Sequence, residues 1–350
     1  MGERVTIRDV AARAGVSVAT VSRVLAGNYP TSAASRAKVL RAVKDLDYVA
    51  NAHARALAGA GRKTIAVLTY DVLSPFYAYV AQGVEMEAAK HGRLTLVAST
   101  GSDPARELAL VQMMREQAAE AVVLVGGVIE DDEYRARMAR YAQALAAAGS
   151  RLVLCGRPAP APDVPALVVE YDNEAGAHAA TSHLLGAGHR RIALIGHQPG
   201  STTGEARVRG YLRALADHGV PRADALVHGV GCGPHYGYEA IRELLRAAGG
   251  KPEFTAVFAG DDRVAAATVA ALREHGFRVP DDISVVGYND DPVASDLTPA
   301  LTTVHIPAEE MGRTAVRLAL AGAPPRSGPE RHVLGTHIVI RSSVRSLPRG

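Results

Sequence analysis

Short segments with helical spacing of apolar residues fill the first 60 residues, and turn residues separate them. Apolar side chains recur three and four positions apart at 7–14, 21–25 and 39–46, which is the period of an amphipathic α-helix. Gly15 and Gly27 follow the first two segments and are suited to end helices. The pattern therefore predicts three short helices, the first two joined by a tight turn.

A different pattern begins near residue 63, where short apolar runs alternate with longer helical segments. The predicted strands are 65–70, 94–99, 121–126, 151–155, 166–171, 191–196, 225–228, 255–260 and 283–288. Apolar strands joined by crossover helices form parallel sheets with helices on both faces. Because a second series of such units starts at about 191, the pattern predicts two α/β lobes.

The second predicted helix has a polar face suited to DNA. A helix, a glycine-containing turn and a second helix form the arrangement that places the second helix in the major groove. Opposite its apolar stripe lie Ala19, Ser22 and Arg23, and arginine makes the commonest specific contact with guanine. Thr20, Ser22 and the amides at the helix start can hold phosphate. A plain three-helix bundle with a solvated Arg23 would show the same spacing.

The uneven distribution of charge favours a polyanionic partner. Residues 1–63 carry a formal charge of +7 and the remainder carries −4, which gives the chain its total of +3. A basic head on a mildly acidic body is typical of nucleic-acid binding, although a solvated basic surface has the same charge.

Length and composition indicate a globular protein of two or three domains. The chain has 350 residues, of which 48% are hydrophobic and 21% charged. It has no apolar stretch of about 18 residues and no apolar signal core in MGERVTIRDV, so we expect a cytoplasmic protein with no membrane partner. Two cysteines, Cys155 and Cys232, are too few for a cysteine-rich zinc site.

Two stretches of the head carry a highly specific motif. They read TIRDVAARAGVSVATVSRVLAGN and SAASRAKVLRAVKDLDYVANAHARALAG. The motif closely resembles the headpiece of lac repressor (LacI/GalR) family transcription regulators. The resemblance implies that Val18, Ala19 and Arg23 face the bases. The residues it implies at or near the DNA backbone are Thr6, Ser17, Thr20, Ser22 and Ser32.

Residues 51–62 resemble the hinge helix and linker of the same family. A helix of two turns is marginal alone in water, so its order would need a partner hinge and DNA. The resemblance implies that two hinge helices pair in the central minor groove of a palindromic operator, with Leu57 as a wedge between base steps. It adds Asn51, Arg55 and Ala58 to the DNA contacts. Leu57 is otherwise an ordinary linker residue.

Polar and aromatic side chains follow several predicted strands of the body. In open α/β sheets, ligands bind beyond the carboxyl ends of the strands. Carboxylates, an arginine fork and aromatic faces at these ends suit a sugar or a similar polar small molecule. Many of the aspartates in these places, such as Asp172 and Asp262, can equally cap the helices that follow.

The body resembles the periplasmic-binding-protein-like effector domain of the same regulators. The motifs SPFYAYVAQGVEMEA and EARVRGY carry this resemblance, which implies that Phe76, Tyr171 and Arg207 contact the effector. Together with the strand-end residues, the candidate effector-binding set is Asp71, Phe76, Tyr171, His197, Arg207, Asp261 and Asn289.

Three positions depart from the family pattern. Asp261 stands where many members have Asn, and Asn289 stands where many have Asp. The exchange conserves charge and swaps a donor for an acceptor, so we expect an effector whose hydroxyl pattern differs from the usual sugars if both side chains face it. Gly156 replaces a common Asp, which leaves room for a larger ligand or weakens a contact.

The patterns indicate no enzyme, cofactor or metal site. No glycine-rich phosphate fingerprint follows a strand. The acids are adjacent in the pairs Asp261/Asp262 and Asp290/Asp291, and neighbouring side chains on an extended chain point in opposite directions, so neither pair is suited to be a catalytic dyad. A glycoside hydrolase is therefore a weaker alternative. A solute-binding protein for sugar uptake is another, although it would need an export signal and no basic head.

The sequence thus predicts an N-terminal all-α helix-turn-helix headpiece and an α/β two-lobed periplasmic-binding-protein-like domain with two parallel doubly wound sheets. The predicted domains are the headpiece at 1–50, the hinge helix and linker at 51–62, and the effector-binding and dimerisation domain at 63–345. Within the last domain we expect an N-lobe of about 63–160 and 305–322 and a C-lobe of about 165–290 and 325–345. We expect crossings between the lobes near 155–171, 288–292 and 322–330. The resemblance implies a homodimeric repressor of carbohydrate-utilisation genes, controlled by a sugar or oligosaccharide.

Overall fold

The chain divides into two compact units, residues 1–63 with 92–94 and residues 64–91 with 95–350. A computed structural model describes residues 5–26, 30–48, 64–228, 231, 233–322 and 328–348.

The first unit contains the three helices that the apolar spacing predicts. They are α1 (Ile7–Ala14), α2 (Val18–Ala26) and α3 (Ala33–Asp45). Gly15 ends α1 with φ of 65°, a left-handed conformation that glycine adopts without a Cβ clash. The helices enclose a small core whose buried members are Val10, Ala11, Ala14, Val21, Val24, Val39 and Ala42.

The second unit alternates strands and helices, as the body pattern predicts. Its strands are β1 (Thr64–Thr69), β2 (Leu94–Ser99), β3 (Ala121–Val125), β4 (Arg151–Cys155), β5 (Leu167–Tyr171), β6 (Ile192–Ile195), β7 (Leu226–His228), β8 (Ala256–Ala259), β9 (Ser284–Val286), β10 (Thr303–His305), β11 (Glu330–Leu334) and β12 (His337–Val339). Its α-helices are α4 (Pro75–Lys90), α5 (Pro104–Glu116), α6 (Asp132–Ala147), α7 (Asn173–Gly186), α8 (Thr202–Asp217), α9 (Pro234–Ala247), α10 (Asp262–Glu274), α11 (Pro292–Asp296) and α12 (Ala308–Leu320).

Two sheets with parallel pairing build the two lobes. The first has the strand order β11-β5-β4-β3-β1-β2 and the second has the order β7-β6-β8-β9. The strands β1, β3, β4, β5 and β11 pair in parallel, as do all four strands of the second sheet. A separate antiparallel pair, β10 and β12, brings His305 opposite His337. The doubly wound architecture predicted from the sequence is confirmed.

The first sheet takes up two strands that lie in the residue range predicted for the C-lobe. The strands β5 and β11 pair with each other, and β5 pairs with β4. The chain therefore passes to the second sheet only after β5, rather than between 155 and 171. Apolar strands of this kind fit either sheet equally well, so the sequence pattern does not reveal which one they join.

Helices α4 and α12 of the first lobe approach each other through glycines. A Cβ placed on Gly83 would lie 1.9 Å from the carbonyl oxygen of Glu309, and one on Gly312 would lie 2.1 Å from that of Val80. Neither position can hold a larger residue unless the helix backbones separate. Among the described residues, no helix combines the length and apolarity that crossing a membrane would take.

We predict that Gly83→Ala destabilises the second unit. The added methyl group meets backbone, which cannot rotate away, so the free energy of unfolding should fall by about 1–3 kcal/mol. Gly186→Ala is the matched control, because its Cβ would meet no atom within 4 Å and alanine favours a helix by about 0.5–1 kcal/mol. Urea denaturation followed by circular dichroism measures both. Equal stability of the two variants would contradict the close approach.

Candidate DNA-reading face and effector site

Helix α2 presents one face to solvent and the other to the core of the first unit. Val21 and Val24 are buried, whereas Ala19 and Arg23 are exposed and Val18 is 42% exposed. Val18 is therefore free of the core. These three exposed side chains are the ones that the sequence predicts to read bases, and the helical period brings them to one side.

The hydroxyl residues predicted at the DNA backbone lie at helix starts. The Ser17 hydroxyl accepts a hydrogen bond from the Thr20 amide at 3.1 Å and lies 2.9 Å from the Thr20 hydroxyl. Ser32 caps α3 by accepting from the Ser35 amide. These caps leave the first turns exposed, with amides that favour an anion.

Thr6 fixes the start of α1 together with an acidic partner. Its amide and its hydroxyl both donate to Asp9 at 2.7 Å, and these hydrogen bonds hold the pKa of Asp9 below its usual value. Ser22 is half-buried on α2. The predicted hinge contacts Asn51, Arg55, Leu57 and Ala58 lie outside the described residues, so they stay predictions.

Arg207 is the centre of the candidate effector site. Its guanidinium, on α8, is buried and lies 3.8 Å from the centroid of the Tyr288 ring. It donates to the Asn173 side chain at 3.0 Å, to the Tyr171 hydroxyl at 3.3 Å and to the carbonyl of Gly260. One cation therefore joins the ends of β5 and β8 and the start of α7.

Phe76 extends this cluster into the first lobe. Its ring centroid lies 5.9 Å from that of Tyr171, and the tilted arrangement is favourable for aromatic pairs. Phe76 and Asn289 also line a cavity of about 570 Å³. That volume falls within the range of small-molecule sites, and of the predicted effector residues Phe76 and Asn289 line it.

Two predicted acids accept hydrogen bonds from backbone amides near helix starts. Asp261 accepts from the Val264 amide at 2.7 Å at the start of α10, and Asp71 accepts from the amides of Leu73 and Ser74 before α4. Each carboxylate thus has a structural partner. Of the two aspartates expected as caps, Asp172 caps α7 by accepting from the Ala175 amide, whereas Asp262 accepts from Thr303 and Asp291 instead. Contact of Asp71 and Asp261 with an effector stays a prediction.

His197 and Asn289 have distinct local environments. His197 is buried after β6, and burial lowers the pKa of its imidazole. Its Nδ1 has no hydrogen-bond partner in the part of the chain that the structure describes. Asn289 has φ of 114° and Asp290 has φ of 63°. Asn and Asp tolerate positive φ better than most residues, so the local backbone is one reason for this pair.

Gly156 has a backbone reason of its own. Its φ is 73°, and an added Cβ would lie 3.8 Å from both the Met311 and the Tyr171 side chains. Space would permit a small side chain, whereas the left-handed conformation favours glycine.

The loop after β3 bonds directly to the start of α8. The Thr202 amide donates to the Val128 carbonyl at 2.8 Å, and the Val128 amide donates to the Thr202 hydroxyl at 3.2 Å. An added Cβ on Gly127 would lie 2.3 Å from the hydroxyl oxygen of Thr203. The two lobes are therefore in contact beside Arg207.

Asp262 joins strand ends beneath the site. Its carboxylate accepts from the Thr303 hydroxyl at 2.6 Å and from the Asp291 amide at 2.7 Å, and its side chain is fully buried. Burial raises the pKa of Asp262 to about 8, because water is lost from the charged form. Among the described residues, no group of three or more His, Cys, Asp or Glu side chains is placed to hold a metal ion.

Sequence reasoning missed three residues of this region. Asn173 and Tyr288 contact Arg207, and Asp291 lines the cavity. Asn173 follows a predicted capping residue, and Tyr288 precedes Asn289, so their positions beside strand ends were a signal available in the sequence.

Family models match both units. The model for bacterial regulatory proteins of the lacI family matches residues 6–51, and the periplasmic binding protein-like domain matches residues 181–344.

Similar proteins cover nearly the whole chain. The transcriptional regulator CelR of Thermobifida fusca is 36% identical over 97% of this chain and 98% of its own length. A structure of a CelR–cellobiose complex is 34% identical, covers 97% of this chain and all of its own, and has a TM-score of 0.69. The lac repressor dimer bound to operator and an anti-inducer is 26% identical over 98% of this chain and all of its own, with a TM-score of 0.81.

We predict that Asp262 makes stability fall as pH rises from about 4 to about 8. Because the pKa of Asp262 is raised on folding, the folded chain keeps a proton that the unfolded chain releases in this range. Its contribution is complete below the unfolded pKa and is lost as pH rises through about 8. Asp262→Asn cannot titrate, so the slope should weaken by on the order of 1 kcal/mol per pH unit.

Chemical denaturation of the full chain at several pH values measures this slope. Asp296→Asn, an exposed acid on α11, is the control and should keep the slope of the unmodified chain. The same slope in the Asp262 and Asp296 variants would show that Asp262 is ionised in the folded chain.

Proposed function

This chain belongs to the LacI/GalR family of transcriptional regulators, and we propose on that premise that it is a repressor of carbohydrate-utilisation genes whose operator binding a saccharide effector controls. It is a sequence-specific DNA-binding regulator. We propose which residues read DNA, which ligand binds, how the chain assembles, and that the ligand weakens operator binding.

The exposed face of α2 is the observation that carries the DNA-reading role. Burial of Val21 and Val24 fixes the rotation of the helix, so that Val18, Ala19 and Arg23 all point to solvent. An arginine at this place can donate two hydrogen bonds to a guanine edge, and the apolar neighbours fit thymine methyl groups. The exposed hydroxyl residues at the helix starts suit phosphate contacts.

The cluster around Arg207 supports a saccharide effector. Arginine, tyrosine and asparagine side chains supply donors and acceptors, and Phe76 adds an apolar face for a sugar ring. The similar CelR structure holds cellobiose, which favours an oligosaccharide here as well. We propose no catalytic role for this site.

A homodimer acting in the cytoplasm is the assembly we propose. The similar lac repressor is a dimer on its operator, and two heads related by a twofold axis match a palindromic site. Exposed apolar side chains support a protein contact on the first lobe. They are Met86, Leu96, Val97, Leu108 and Met113.

Control requires that the effector distinguish two states of the protein. A ligand shifts an equilibrium only by the difference between its affinities for the two states. The contacts between the lobes beside Arg207 supply such a difference, since a ligand between the lobes changes the preferred angle between them. We propose that binding of the saccharide releases the operator.

We predict that Arg23→Ala removes most of the preference for operator over random DNA. Loss of a guanine contact should cost about 1–3 kcal/mol per half-site. Fluorescence anisotropy at fixed salt, with operator selected from genomic fragments, measures the ratio of the two affinities. Arg41→Ala removes the same charge from the exposed face of α3 and should weaken both duplexes alike. Unchanged discrimination in the Arg23 variant would contradict the assignment.

We predict that Arg207→Ala keeps operator binding and loses its release by saccharide. The guanidinium organises the cluster in the second unit and lies outside the head, so the head should still bind. Operator release by a panel of mono- and disaccharides, with cellobiose as the first, measures the response. Arg209→Ala is the control on the same helix, because Arg209 is exposed and pairs with Glu174. An Arg207 variant that responds like the unmodified chain would remove this residue from the site.

A further inference from the structure

The cavity beside the effector site has an acidic and aromatic lining. Phe76 and Tyr79 contribute aromatic rings. The charged or titratable lining residues are Asp290, Asp291, Glu309, Glu310, His305 and Arg313. The four acids outnumber the single arginine of the lining. Whether an acid presents a net negative charge to a ligand therefore depends on whether an arginine outside the lining pairs with it.

Three of the four lining acids are already neutralised by arginine. These pairs are Asp290 with Arg341, Glu309 with Arg313, and Glu310 with Arg317. The His305 ring also lies 3.1 Å from Asp290. Asp291 differs from the other three, because no arginine or lysine forms an ion pair with it among the described residues.

Asp291 has a buried oxygen without a partner. The residue is 3% exposed, and among the described residues its Oδ2 has no hydrogen-bond partner. Burial and, to a smaller extent, the nearby Asp261 raise the pKa of Asp291, the Asn289 side chain and Arg263 partly offset them, and the net pKa is about 6. A buried charge without a counter-charge is costly, so the position favours a ligand that brings a cation.

The aromatic residues of the same cavity favour the same kind of ligand. The faces of Phe76 and Tyr79 attract cations through their ring quadrupoles. A protonated amine also donates three hydrogen bonds, of which one can go to the Asp291 carboxylate. A neutral hydroxyl group would satisfy the hydrogen bond and leave the charge uncompensated.

We propose that the effector of this regulator is a saccharide that carries a free protonated amine, and that Asp291 binds the ammonium group in this cavity. The inference rests on the proposed function, because it names the chemical class of the effector. Phe76 lines this cavity and also lies against Tyr171, so it is the residue that connects the cavity with the cluster around Arg207.

Three disaccharides with the same β1–4 linkage test the charge. They are cellobiose, which has hydroxyl groups only, the β1–4 dimer of glucosamine, which carries two amines, and its fully N-acetylated form, which is neutral. Isothermal titration calorimetry with the full chain at pH 7 should show at least about tenfold tighter binding of the amine, because charge-assisted hydrogen bonds are about twice as strong as neutral ones.

Asp291→Asn separates the charge from the shape of the site. The amide has nearly the same volume but no charge, so the preference for the amine over cellobiose should disappear. Asp296→Asn, an exposed acid on α11, is the matched control and should keep the preference. Circular dichroism and the thermal midpoint verify that both variants fold.

Two outcomes overturn the inference. The first is equal or weaker binding of the amine than of cellobiose, which includes failure of the amine to bind. The second is a preference that survives Asp291→Asn. Operator binding without saccharide is measured in parallel. A chain that prefers its operator but not the amine refutes this inference alone, whereas a chain with no operator preference refutes the proposed function.

Discussion

The buried guanidinium of Arg207 is the group on which the ligand-binding unit depends. A cation removed from water is destabilising unless hydrogen bonds and favourable electrostatics replace the lost hydration. Here the acceptors come from Tyr171, Asn173 and Gly260, and the ring of Tyr288 lies against the guanidinium. These groups lie at the ends of strands from both sheets. The two lobes must therefore be assembled in register before the cation is satisfied, which links folding of the unit to formation of the site.

The type and order of the helices and strands were predictable, because each has a clear apolar period. The residues at which they begin and end, and the strands that pair with each other, were less predictable. Helix α8 begins at Thr202, because the Ser201 hydroxyl accepts from the Gly204 amide and caps the helix there, and apolar spacing alone does not reveal that limit. On α3, Ala42 is buried and Leu40 is 49% exposed, although helical spacing admits either residue. The partners of β5 were not predictable, since hydrogen bonds between strands leave no period in the sequence.

The candidate site was predictable where a motif named its residues. The resemblance to the effector domain implied that Phe76, Tyr171 and Arg207 all lie at the effector, and the structure brings the three together. Asp291 is different, because it stands out by lacking a hydrogen-bond donor to Oδ2 and an arginine or lysine partner among the described residues. Only coordinates reveal that Oδ2 lacks a donor and that the other lining acids have arginine partners. Adjacency in sequence made Asp290 and Asp291 look alike, and the structure separates them.

The bond between the loop after β3 and the first residue of α8 has a mechanical consequence. Thr202 and Arg207 both belong to α8, so Val128 contacts the same helix that carries the guanidinium. A rotation of the lobes that separates Val128 from Thr202 would also move Arg207 relative to Tyr171, because Tyr171 ends a strand of the first sheet. Both contacts of α8 therefore depend on the angle between the lobes. A solute that binds at Arg207 acts on the same helix that joins the lobes at Val128.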